Sequence, residues 1–154
     1  MVECLHKYGS NLNAVDQEGF QVSILAAHSL EILKYLVKHG VDLSIKDVTG
    51  GTVAHNCGES VEIVKYLESI GVKFNERDEW GSLPIHFYAA NNQVEALTYL
   101  LSKGFSYNEK TNDGKTVFDV ATEEVKSRWY VYIYIYLYKY HTITYRNSNV
   151  GWRF

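Results

Sequence analysis

The side chains best suited to chemistry stand in two close pairs, Cys4 with His6 and His55 with Cys57, the second written "HNC". A thiolate beside an imidazole can act as nucleophile and base, and two such pairs supply the four nitrogen and sulfur ligands of a closed zinc site. Neither pair has C-x-x-C spacing, and no third group stands ready to orient a Cys–His pair. Gly50 and Gly51 invite a phosphate-loop reading, but neither G-x-x-x-x-G-K nor G-x-G-x-x-G occurs. The carboxylate pairs Asp78, Glu79 and Glu123, Glu124 are consecutive, and consecutive residues on a helix do not face each other. They read as solvated charge, and the expectation is of no catalytic residue, no cofactor and no metal.

The elements that would position these groups are bounded by size and charge. At 154 residues and 46% hydrophobic, the chain can bury one ordinary core, which leaves room for a tail. Two cysteines and a start, "MVECLHKYGSNL", without an apolar run point to a reducing, intracellular and cytoplasmic setting. All 18 acids lie at or before Glu124, so residues 1–125, with 10 lysines and arginines, carry a net charge of -8. An acidic body argues against nucleic-acid binding. The remaining five basic residues are too sparse for a polybasic motif.

Three segments repeat: "DQEGFQVSILAAHSLEILKYLVKHGVDLSIK", "DVTGGTVAHNCGESVEIVKYLESIGVKFNER" and "DEWGSLPIHFYAANNQVEALTYLLSKGFSYNEK". Gly19, Gly50, Gly81 and Gly114 recur 31, 31 and 33 residues apart, and Gly40, Gly71 and Gly104 mark a second phase. Each unit reads as a D-x-x-G turn, a short helix carrying small residues, a loop, a longer amphipathic helix and a glycine stop. Pro84 fits the first turn of its helix; Ser29, Ser60 and Asn92 are placed as N-caps, Asn92 forming a capping box with Glu95. One such unit cannot bury its own apolar face, so units must stack on their neighbours.

These segments resemble the ankyrin repeat family. "GSLPIHFYAA" is similar to the family's G-x-T-P-L-H-x-A-A, and "VEALTYLLSKGFSYN" to its second helix and G-A-x-x-N ending. The first two units are two residues shorter, a gap the alignment puts in the loop between helices. The resemblance implies an all-α helix-turn-helix solenoid with β-turn fingers. It places His55 and His86 at a structural histidine that bonds backbone in the adjacent turn, and Cys57 at a core alanine. It also sets the two Cys–His pairs on different helices of successive units, where they do not converge on a metal.

The resemblance further implies a non-catalytic module that binds another protein through turn tips and the exposed face of the first helix. Carried over by position, the finger residues are Gln17, Glu18 and Phe20; Val48, Thr49 and Gly51; Glu79, Trp80 and Ser82; Asn112, Asp113 and Lys115. Of these, Glu18, Phe20, Glu79, Trp80, Ser82, Asn112, Asp113 and Lys115 are the expected partner contacts, with the two rings as anchors. A regulatory or targeting fragment of a larger protein or enzyme, or a membrane-attached adaptor, are the competing readings.

The expected units are 1–15, the second half of a truncated repeat; 16–46, 47–77 and 78–110, full repeats; 111–127, a partial repeat; and 128–154, a low-complexity, Tyr-rich C-terminal tail outside the domain. In "WYVYIYIYLYKY", Trp129 to Tyr140, tyrosine takes every second place, as in a strand, yet no partner strand is expected in a helical stack. A TA-dinucleotide tract read in frame gives the same alternation, and the segment reads as translated repeat DNA replacing the fourth unit's second helix. Its apolar run of about ten residues is short of the ~20 needed to span a bilayer, which argues against a membrane role.

Overall fold

A computed structural model describes residue 7, residues 9–128, and residues 130 and 131. Cys4, His6 and the Tyr-rich stretch from residue 132 onward lie outside the described residues. Among the described residues seven helices follow in order: α1 (Val22–Leu25), α2 (Leu30–Lys38), α3 (Val53–Asn56), α4 (Val61–Ser69), α5 (Pro84–Ala90), α6 (Val94–Ser102) and α7 (Val117–Val120). Residues 123–128, 130 and 131 are helical as well, where the sequence reading expects the fourth unit to lose its second helix. Among the described residues there is no strand, only the isolated bridges Val15–Gln21 and Lys110–Thr116 flanking two of the turns.

The helices form two layers. The first helices α1, α3, α5 and α7 pack each on the next, and the second helices α2, α4 and α6 do the same. Leu36, Leu67 and Leu100, at one phase of α2, α4 and α6, are fully buried, as are Val53 and Ile85 in the first-helix layer. Burying a leucine of this kind contributes about 1.5–3 kcal/mol relative to exposure, and most of that gain depends on a neighbouring unit being present.

Local signals start and stop the second helices. The Ser29 hydroxyl accepts from the Ile32 N–H at 3.4 Å, capping α2. At the other end Val41 N–H bonds Leu36 C=O at 3.1 Å, with Gly40 at φ 75, and the same paired arrangement recurs at Gly71 and Gly104. Asn92 is not the N-cap of α6. Gln93 holds that place, and Asn92 adopts a left-handed φ of 59 while its amide donates to Glu124 Oε2 at 2.6 Å. The capping box with Glu95 is therefore absent, because the longer third unit uses Asn92 to turn the chain and to reach the following unit.

The two-residue deficit of the shorter units also falls elsewhere than expected. The connections 26–29 and 57–60 are no shorter than 91–93, whereas α1 and α3 have 4 residues each and α5 has 7. The deletion removes the last turn of the first helix rather than loop.

One interface depends on an exchange of size. Tyr88 is fully buried one unit after the position held by Cys57, and its hydroxyl donates to Ala54 C=O at 2.6 Å and lies 3.2 Å from Cys57 Sγ. Room for the ring comes from Gly58: a Cβ there would fall 2.3 Å from Tyr88 Cδ1 and 2.0 Å from Gln93 Oε1. At Gly40, by contrast, a Cβ would meet nothing within 4 Å, and the residue is constrained by its φ of +75 alone. Gly58→Ala is expected to lower stability by about 1–3 kcal/mol through overpacking, and Gly40→Ala by about 1 kcal/mol through backbone conformation. Urea denaturation of both variants checks the order; equal losses would contradict the steric account.

Candidate functional site

The fingers are built by one device used four times. In the second, Asp47 Oδ1 accepts from Thr49 N–H at 2.8 Å and Gly51 N–H at 2.9 Å, while Asp47 N–H donates to Gly51 C=O at 2.9 Å and Gly50 takes a φ of 77 that a side chain would oppose. Asp16 and Asp78 do the same in the first and third fingers. Thr111 takes over in the fourth, its hydroxyl accepting from Lys115 N–H at 3.2 Å. Asp78 is thus buried in its turn and not solvated, with Oδ2 lacking a hydrogen-bond partner, which corrects the reading of the Asp78–Glu79 pair as surface charge.

Successive fingers are tied to each other through backbone. Val48 N–H bonds Glu18 C=O at 3.2 Å, Glu79 N–H bonds Thr49 C=O at 2.9 Å, and Asn112 N–H bonds Trp80 C=O at 2.8 Å. The Asn112 amide adds a bond to Glu79 C=O at 2.9 Å. Arg77 secures the last junction, donating to Gly81 C=O, to Lys110 C=O at 2.8 Å and to Glu109 Oε2 at 2.6 Å.

This geometry sorts the expected contact residues. Glu18, Glu79, Trp80, Asn112, Asp113 and Lys115 are exposed, with Trp80 56% accessible. Phe20 is half-buried and packs against the core, so its ring serves the fold, and Ser82 is half-buried at the junction to α5. Two exposed apolar residues join Trp80: Val48 on the second finger, 60% accessible, and Leu25 at the end of α1, 62% accessible. Leu25 was not among the expected contacts, because a leucine in an apolar helix gives no sign in sequence that its side chain faces water.

Between the first helices lies a cleft of about 340 Å³ lined by His28, His55, Asn56, Glu59, Phe87, Asn91 and Gln93. His28 Nδ1 lies 2.9 Å from Glu59 Oε2 at its rim, and Gln93 Oε1 is buried without a hydrogen-bond partner. A larger cleft of about 520 Å³ lies away from the fingers, between the ends of α2 and α4, and is lined by Val37, Val41, Leu43, Ile70 and Val72 with Lys46 and Glu76 already paired at 3.0 Å.

The His55 and His86 rings have both nitrogens engaged. His55 Nδ1 accepts from Thr52 N–H at 3.1 Å, and since an amide only donates, the proton sits on Nε2, which donates to Ser82 C=O at 3.3 Å in the next unit. His86 Nδ1 likewise accepts from Leu83 N–H at 3.0 Å, and its Nε2 donates to Glu109 C=O at 3.0 Å, at the end of its own unit just before the fourth finger. The first unit has Ile24 at this place and so lacks this link to its following unit; one junction earlier, Asn13 Oδ1 ties residues 9–15 to the first unit, accepting from Gln21 Nε2 at 2.9 Å and Asp42 N–H at 3.0 Å. Cys57 is fully buried, and burial pushes its thiol up to about 12, far from a reactive thiolate. The "HNC" pair is occupied in holding repeats together.

Fingers, two helix layers and histidine links define a solenoid of stacked helix-turn-helix units. Residues 52–144 match the family described as ankyrin repeats (3 copies), and the chain belongs to the ankyrin repeat family. The match takes in residues 128–144 and leaves out residues 16–51, where the structure shows the same turn-helix-loop-helix order. No curated protein matches the chain. Ankyrin repeats generally mediate protein–protein interaction and are typically non-catalytic. Among the described residues no helix is long and apolar enough to cross a membrane.

Burial holds both imidazoles below their ordinary value of 6.5. Below that value the unfolded chain takes up protons that the folded chain refuses, so this stability is complete above 6.5 and falls as the solution is acidified. Asp42, Glu68, Glu76 and Asp119, lowered from 3.8 or 4.5 mainly by hydrogen bonds, lose their stabilisation only further into acid. The urea midpoint is expected to be lower at about pH 5.5 than at about pH 7.5, and a His55→Asn/His86→Asn variant to lose most of that difference. An unchanged difference in the double variant would assign the effect to other groups.

Proposed function

We propose that this chain binds a partner protein through its row of finger tips and the exposed ends of its first helices. The observation that carries the reading is Trp80. Its backbone is fixed on both sides, N–H to Asp78 Oδ1 at 3.0 Å and C=O to Asn112 N–H at 2.8 Å, while its indole stands 56% accessible at the tip of the third finger. A large exposed ring on a fixed backbone supplies contact area with only its own side-chain torsions left to order, and tryptophan is enriched among residues that dominate binding energy. Glu79, Asn112, Asp113 and Lys115 surround it in sequence and along the finger row, which is the arrangement of an apolar anchor within a polar rim.

Specificity in this reading comes from combination. Each finger has the same backbone and different tip residues, Gln17 and Glu18, Val48 and Thr49, Glu79 and Trp80, Asn112 and Asp113. A partner must satisfy several tips at once, so loss of the central anchor is felt more than loss of any rim residue. Trp80→Ala is expected to weaken binding of a captured partner by about 2 kcal/mol or more while leaving the urea midpoint unchanged. Calorimetric titration beside denaturation measures both, and full affinity in the variant would overturn the proposal.

A further inference from the structure

The two layers of the solenoid differ in charge. Fingers and first helices, residues 16–28, 47–59, 78–91 and 111–121, hold eight Asp and Glu against a single lysine, Lys115. The second helices and the segments leading to the next finger, residues 29–46, 60–77, 92–110 and 122–128, hold nine Asp and Glu against ten Lys and Arg. Nearly all the net negative charge of the body therefore lies on one layer. Six of its eight carboxylates are exposed: Asp16, Glu18, Glu59, Glu79, Asp113 and Asp119.

Among the described residues none of these acids forms an ion pair with a lysine or arginine, though Lys126 and Lys110 lie near enough to Asp119 to favour its charge. Among the described residues, the lysines and arginines that form ion pairs do so with Glu76, Glu109, Glu68 and Glu123, all on the other layer. On the finger side Glu59 has only His28 beside it. Carboxylates along one row make the potential of the whole face negative, which repels anions and draws a cationic partner at long range. Interspersed with the acids are the exposed apolar side chains Leu25, Val48 and Trp80.

Resting on the protein-binding reading above, we propose that the partner of this face is a basic polypeptide segment in which arginine or lysine is interspersed with apolar side chains. The cations meet the finger carboxylates, and the apolar groups cover Trp80, Val48 and Leu25. The cleft between the first helices, with Glu59 at its rim, Phe87 as an aromatic wall and Gln93 Oε1 as an unpaired acceptor, suits one basic side chain of that segment. An acidic segment would meet repulsion from Asp16 and Glu18 on the first finger and from Glu79 on the third.

The test is selection of a random peptide library on the full chain, followed by fluorescence anisotropy of the selected peptides. Enrichment of lysine and arginine among Trp80-dependent binders is expected, with affinity lost about tenfold in a Glu18→Lys/Glu79→Lys variant and reduced by added salt. Trp80-dependent binders without basic enrichment, or with affinity unmoved by the charge reversals, would overturn this inference and leave the protein-binding reading standing. Absence of any Trp80-dependent binder, or self-association of the chain through this face in sedimentation, would overturn both.

Discussion

No unit of this chain can remove its apolar surface from water alone, so the whole structure depends on the register between one unit and the next. Burial is non-directional and does not choose a register by itself. The choice is made by directional bonds: one amide-to-carbonyl bond between neighbouring fingers, and at the junction of the second and third units an imidazole that crosses from His55 to Ser82. Because these bonds use backbone atoms at the second and third finger positions, most side chains there are not committed to the stack, although Thr49 also bonds Asp47 Oδ1 and Asn112 also bonds Glu79 C=O. The same constraint that aligns the stack frees the tips to differ.

The outer layer solves a different problem, covering the seams between second helices without a continuous apolar surface. Lys34 lies 5.6 Å over the Tyr66 ring and Lys65 lies 5.6 Å over Tyr99, each lysine reaching the tyrosine of the next unit. Tyr99 in turn donates to Glu68 Oε2 at 2.5 Å, and Lys103 pairs with the same carboxylate at 3.0 Å. Exposed contacts of this kind contribute about 0.5–1 kcal/mol each at most, yet they cover the two half-buried tyrosines and keep that face near neutrality. The division of charge between layers follows from their division of tasks.

Much of this was legible in sequence because it rests on local chemistry. The D-x-x-G turns, the glycine stops and the inward leucines of the second helices each depend on residues close in the chain, and the structural histidines followed from the resemblance. What sequence did not disclose was non-local. Asn92 looked like a cap because caps are read from the residues that follow, while its actual partner, Glu124, lies 32 residues on. Phe20 stands fifth in its finger and Trp80 third in its own, and the packing decides which ring turns inward and which is left in solvent. The helical residues after Thr122 were hidden by the tyrosine alternation that begins at Tyr130, a pattern whose period of two suggests a strand.

The contact of Gly58 with Tyr88 bears on how freely such repeats can be rearranged. Tyr88 can occupy its site only if the preceding unit has no side chain at the position of Gly58, and the third unit itself holds Ala89 at the corresponding place. The third unit therefore fits behind the second and not behind a copy of itself. Duplication or shuffling of whole units, the ordinary route by which repeat arrays grow, is closed at this junction unless both partners change together. The order of the second and third units is written into the facing residues Gly58 and Tyr88.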